Sequence, residues 1–269
     1  MVLVGQLLAA AILLGAGRHR PPQPPAAAPA AAPLAVGDGR TVRLISLGGT
    51  RTDELLTRIE AQIGGAVAAV EKFWGTDWDR EIVVIATASD PQFIAQAGLD
   101  PGRQWADIAA VAVADHVDPE RHLADGQRIV FAPGASAMSA ESLRIVLTHE
   151  LFHLAARADT APDAPRWLVE GVADLVARPP APLPAGAAAD TALPTDADLD
   201  AAGPRRAMGY DRAWWFARFV ADDYGVDALR RLYLLAAGPH HRDFASAVRG
   251  ALDTDLTGLR VRWAAWLTG

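Results

Sequence analysis

The stretch "LRIVLTHELFHLAAR" (residues 143–157) carries His149-Glu150-Leu151-Phe152-His153 inside a largely apolar run. Ser139 stands just before it and suits an N-cap, so the sequence predicts a helix from about Ala140 to Arg157. Helical residues four apart share a face, one turn from each other. His149 and His153 can therefore aim both imidazoles at one point, and neutral imidazole nitrogens are preferred ligands of zinc. Glu150 points off that pair and can stand beside an ion as a general base without ligating it. The plain alternative is a helix with one surface and one core histidine. Residues further along the chain separate the two readings.

A catalytic zinc centre wants three protein ligands and one open position. In "PRWLVEGVADLVAR" (165–178), a second helix with Pro165 near its first turn, Glu170 follows His153 by 17 residues. A helix, a turn and a second helix packed alongside would bring Glu170 to the same ion. Asp174 lies four residues on, hence on the same face. It can accept a hydrogen bond from the second ring nitrogen of a ligand histidine, which fixes the tautomer and orients the ring. The rest of this helix is apolar (Trp167, Leu168, Val169, Val172, Ala173, Leu175, Val176). Two acids there are poorly explained as a solvated face. The expected metal ligands are His149, His153 and Glu170, holding one Zn2+ per chain, with Glu150 as the base.

Composition narrows the rest. The 269 residues are 51% hydrophobic, enough for one core or for two lobes around a cleft. Net charge is -7 and arginines are scattered among aspartates, so no nucleic-acid partner is expected. Cysteine is absent, which excludes disulfides, thiolate metal sites and a cysteine nucleophile. Any transition metal must be held by His, Asp or Glu.

Residues 2–17, "VLVGQLLAAAILLGAG", have the length and character of a signal-peptide core, short for a membrane span. Gly15-Ala16-Gly17 offers small residues for cleavage. Arg18 and Arg20 follow the run and no basic residue precedes it, which by the positive-inside rule favours the opposite topology. The spacer that follows, "PPQPPAAAPAAAPLAVGDG" (21–39), cannot bury a core. The reading is a signal peptide or membrane anchor over 1–20, a disordered Pro/Ala-rich linker over 21–40 and one folded domain over 41–269. That places the domain outside the cytoplasm, secreted or tethered by its N-terminus.

Within the domain, "TVRLISLG" (41–48), "REIVVIATA" (80–88), "ADIAAVAVAD" (106–115) and "GQRIVFAPG" (126–134) read as strands. Residues 52–75 read as a long helix capped by Thr52 or Asp53 and ended by Gly75, and 91–98 as a short helix. Residues 179–206, rich in Pro, Ala and Asp, read as a long loop, and helices resume from about Ala207. A loop of that length suggests an autoinhibitory lid, whose deletion would raise activity. Trp214, Trp215, Phe216 and Phe219 are expected in the core, and His116, His122, His240 and His241 on the surface. Strands first and helices later favour an α+β class.

A His-Glu-x-x-His helix followed by "WLVEGVAD" resembles the glutamate-zincin (gluzincin) metallopeptidases, most of all the bacterial peptidase MA-like domains. Softer matches are Tyr210, Ala213 and Phe216, then Tyr224-Gly225, and the closing "RVRWAAWL". The resemblance covers roughly residues 42–268. It implies a zincin-like fold: a small N-terminal mixed sheet, an active-site helix beneath it and a helical C-terminal lobe. It implies zinc on His149, His153 and Glu170, Glu150 as base, and a peptide or protein substrate. It also implies that "RIVFAPG" or "AAVAVAD" forms a sheet edge holding that substrate extended. Such a reaction needs a donor for the oxyanion, and Tyr210, just after the long loop, is the candidate. The competing reading is a zincin-fold protein that binds a peptide or partner without turnover. It would normally lack the base or a ligand, and here all four positions are filled.

Overall fold

The computed structural model describes residues 33–102, 105 and 107–269. The signal-peptide or anchor reading of 1–20, and most of the linker, lie outside the described residues. The chain divides into two compact units, one ending at Ala158 and the other running Asp159–Gly269.

The first unit holds a mixed sheet, five-stranded among the described residues: β1 (Leu34–Val36), β2 (Arg40–Ser46), β3 (Glu81–Ala86), β4 (Ala110–Val113) and β7 (Arg128–Phe131). Their order is β1-β2-β3-β7-β4. The pairs β2–β3 and β3–β7 are parallel, while β1 and β4 are antiparallel to their neighbours. Parallel neighbours require crossovers, and α1 (Thr50–Trp74) supplies the one from β2 to β3. Residues buried at 0% exposure recur along α1 at Ile59, Ile63, Val67 and Val70, the predicted apolar face. The short helix α2 (Asp90–Ala97) is N-capped by Ser89 and stops at Gly98, whose φ of 66° is the left-handed conformation of a helix end. The motif helix α3 (Ala140–Ala156) packs on α1, β4 and β7. Ser139 caps it as expected, accepting from the Ser142 amide. Phe152 wedges against Phe73 and Trp74, with ring centroids 5.9 and 5.6 Å apart.

Three readings change here and a fourth narrows. Leu34–Val36, placed in the linker, is a sheet strand, and Arg40 opens β2 fully buried. The Arg40 guanidinium explains this: it donates to Thr76 O at 2.8 Å and Glu71 at 2.6 Å, and lies 3.6 Å over the Trp78 ring. Gly49 is the N-cap of α1, not Thr52 or Asp53. The Thr52 hydroxyl instead donates back to the Gly48 and Gly49 carbonyls. The strand predicted over 106–115 is confined to β4, because Asp115 turns the chain into a separate hairpin, β5 (His116–Asp118) and β6 (Leu123–Asp125). Too short and polar for a periodicity signal, this hairpin was not foreseen. Lastly, of the two candidate edge strands, "RIVFAPG" is internal, because β7 lies between β3 and β4, whereas "AAVAVAD" carries β4, which stands at an edge with β1 at the other.

The second unit is helical: α4 (Arg166–Ala177), α5 (Asp196–Leu199), α6 (Pro204–Tyr224), α7 (Val226–Ala237), α8 (Phe244–Leu252) and α9 (Leu256–Thr268). Phe216 sits at its centre, 5.1 Å from Trp167 and 5.8 Å from Trp263, ring to ring. Trp214, Trp215, Phe216 and Phe219 are all buried, as expected.

The 179–206 segment is not a featureless loop. It contains α5, closed by a Thr195/Asp198 capping box, and α6 begins at Pro204 rather than Ala207. Arg212 pairs with Asp190 and with Ala192 O, and Trp263 Nε1 donates to the same carbonyl at 3.2 Å. Arg218 holds Ala181 O at 2.5 Å, and Arg166 holds Asp200 at 2.6 Å. The segment is a strap tied to α4, α6 and α9. Among the described residues, no helix is long and apolar enough to cross a membrane.

Candidate metal centre

His149, Glu150 and His153 are all buried on α3, and Glu170 and Asp174 are buried on α4. Sequestering these groups is costly unless each has a partner or an ion to face. The Nε2 atoms of His149 and His153 lie 2.9 Å apart, with ring planes at 75°. Two nitrogens on a tetrahedral zinc, each at roughly 2.0–2.1 Å, stand about 3.3 Å apart. One ligand atom from each of His149, His153 and Glu170 lies within 4.8 Å of the others. Two imidazoles and a carboxylate converging in a buried setting have the ligand geometry of a catalytic zinc site, as the motif predicts.

Glu150 is not among the converging ligands. Its Oε2 accepts a hydrogen bond from the Ala112 amide of β4 at 2.7 Å. The side chain thus turns off the histidine pair, as its place beside His149 requires.

On α4, Asp174 faces Arg178 across 3.5 Å, and Arg178 also reaches Asp211 at 3.0 Å while lying over the Trp214 ring. Burial raises the Asp211 carboxyl above its ordinary value, opposed by Arg178 and helped by Asp174. Tyr210 stands within electrostatic reach of Glu170 and Asp174. Burial first, then the Glu170 charge, pushes its phenol well above the usual tyrosine range. A phenol shifted in that direction is protonated, and so a donor, at neutral pH.

His116, His122 and His240 are exposed, as expected. His241 is partly buried and pairs with Asp163 at 3.1 Å. Two residues near the motif were missed. Arg157, buried at the end of α3, donates to Ala112 O at 2.7 Å. The available signal was its spacing, seven residues from Glu150 and therefore on the same helix face. Arg178 had the same kind of signal, four residues after Asp174.

No protein-family model matches the chain, and no curated protein matches it. Among solved structures, a mutant of the M1 zinc metallopeptidase from Deinococcus radiodurans aligns with a TM-score of 0.48 and 17% identity. The alignment covers 89% of this chain and 51% of that one, so the chain spans about half the length of that protein.

Proposed function

We propose that this chain is a zinc-dependent peptide-bond hydrolase of the gluzincin type. The observation that carries this is the buried convergence of His149, His153 and Glu170 with Glu150 turned off the ligand set. His149, His153 and Glu170 would hold the zinc, which would supply Lewis acidity and a water of lowered pKa. Glu150 takes the proton from the attacking water and passes it to the leaving amine. Tyr210, half-buried with its phenol within electrostatic reach of Glu170, donates to the oxyanion. Asp174 accepts from the outer nitrogen of a ligand imidazole and holds its tautomer. The substrate is a peptide or protein, and the apolar run over residues 2–17 supports a location outside the cytoplasm, secreted or tethered.

The test sets the full chain, loaded with zinc, against a diverse peptide library beside Glu150→Gln. The reading expects one zinc in both proteins and cleavage by the wild type alone. Zinc in both with cleavage by neither favours a binder without turnover. Absence of zinc in both ends the metal reading.

A further inference from the structure

The edge strand β4 is held from outside by the motif helix itself. In an antiparallel pair, alternate residues turn both main-chain groups toward the partner strand or away from it. Ala132 N donates to Ala109 O, so the odd positions of this segment face β7, and Ala112 faces outward. Both of its outward groups are taken: the amide by Glu150 Oε2 and the carbonyl by Arg157 Nη2, each at 2.7 Å. Glu150 and Arg157 lie seven residues apart, two turns along one face of the α3 region, and all three residues are buried. An extended substrate that added to β4 would meet Ala112 already bonded on that side.

We infer that Arg157 is a positioning residue for the Glu150 base, acting through Ala112. The chain of support is short. Arg157 fixes the Ala112 carbonyl, the rigid residue fixes the direction of its amide, and the amide fixes the Glu150 carboxylate. A planar, permanently charged guanidinium suits this role, because its donors are pre-arranged and it does not lose its charge. Remove Arg157 and the amide that anchors Glu150 gains freedom, while His149 and His153 keep their places on the helix.

The kinetic consequence rests on the hydrolase reading, but the structural one does not, and the experiment reads both. Arg157→Met and Arg157→Lys are made in the full chain. Each is assayed for zinc content, for kcat and KM on a fluorogenic peptide the wild type cleaves, and for amide exchange at Ala112 by NMR. In Arg157→Met, exchange at Ala112 should accelerate by about tenfold or more, as expected when a buried charge-assisted bond is lost. Val111 and Val113, which face β7, are the internal controls and should not change. One zinc per chain should remain. A misplaced base should lower kcat by about 10- to 100-fold with KM within about twofold. Arg157→Lys, which can still donate to the carbonyl, should recover part of both effects. Unchanged exchange and kcat in a folded Arg157→Met protein would overturn the inference. So would a loss of protection spread equally over Val111 and Val113, since Arg157 would then merely hold the sheet. If the wild type cleaves no peptide, the hydrolase reading falls, and the exchange at Ala112 still decides whether Arg157 positions Glu150.

Discussion

A Cβ placed on Gly171 would stand 2.3 Å from the carbonyl oxygen of Ala213. That contact is far inside the van der Waals limit, so α4 and α6 approach at a point where only glycine fits. Gly171 directly follows Glu170, so the close approach and the third metal ligand share one turn. Gly171→Ala should push α4 from α6, with a stability loss of about 1–3 kcal/mol, as for other overpacked cores. Chemical denaturation measures it, and a zinc titration of the same variant should show weaker binding. An unchanged midpoint and affinity would mean that the helices separate freely.

Glu170→Gln should keep the fold and lose the metal. A ligand that binds only the native state raises the melting temperature with the logarithm of its excess over Kd. Zinc should therefore raise the melting temperature of the wild type but not of Glu170→Gln. The same holds in reverse: a chelator should lower the wild-type value to that of the variant.

The strap leads to a prediction opposite to the one its length suggests. Asp196 Oδ1 accepts from the Trp167 amide at 2.9 Å, and Pro165 gives the start of α4 no side-chain cap. The strap thus caps the helix that bears Glu170. Asp196→Ala should cost about 0.5–2 kcal/mol, the usual range for a lost N-cap. Deleting 187–200 also strands Arg212, and should lower melting temperature and zinc affinity together. A more active and equally stable deletion protein would restore the lid reading.

Tyr210→Phe should lower kcat by about 100-fold or more, the scale of one lost oxyanion donor, with little change in KM. The phenol also links stability to alkaline pH. Its pKa is raised in the folded chain, so above the unfolded value of about 10 the unfolded state binds fewer protons than the native one. Stability from this group is therefore complete below about pH 10 and falls as pH rises further. Urea unfolding of metal-stripped protein between pH 9 and 11, limits chosen to bracket about pH 10, should show that slope, and Tyr210→Phe should flatten it.

The motif was legible because a helix converts sequence spacing into direction. His149 and His153 must share a face once Ser139 starts the helix, and Glu150 must leave it. Glu170 and Asp174 stood out for a different reason, since two acids in an apolar helix need a buried partner. The hairpin β5–β6 and the short α5 were not legible, because three or four polar residues carry no period.

The sequence by itself determined the α+β class, the helix that holds the histidines, the candidate ligands and the candidate base. These follow from local spacing and from the cost of burying charge, both of which act along the chain. Tertiary structure decided that β4 and not β7 lies at an edge, that the strap is tied down, and that Arg157 and Glu150 grip one alanine of β4. The two bonds to that alanine join residues 38 and 45 positions apart. They depend on strand order and on which main-chain groups a sheet leaves outward, and neither is written in the identity of an alanine.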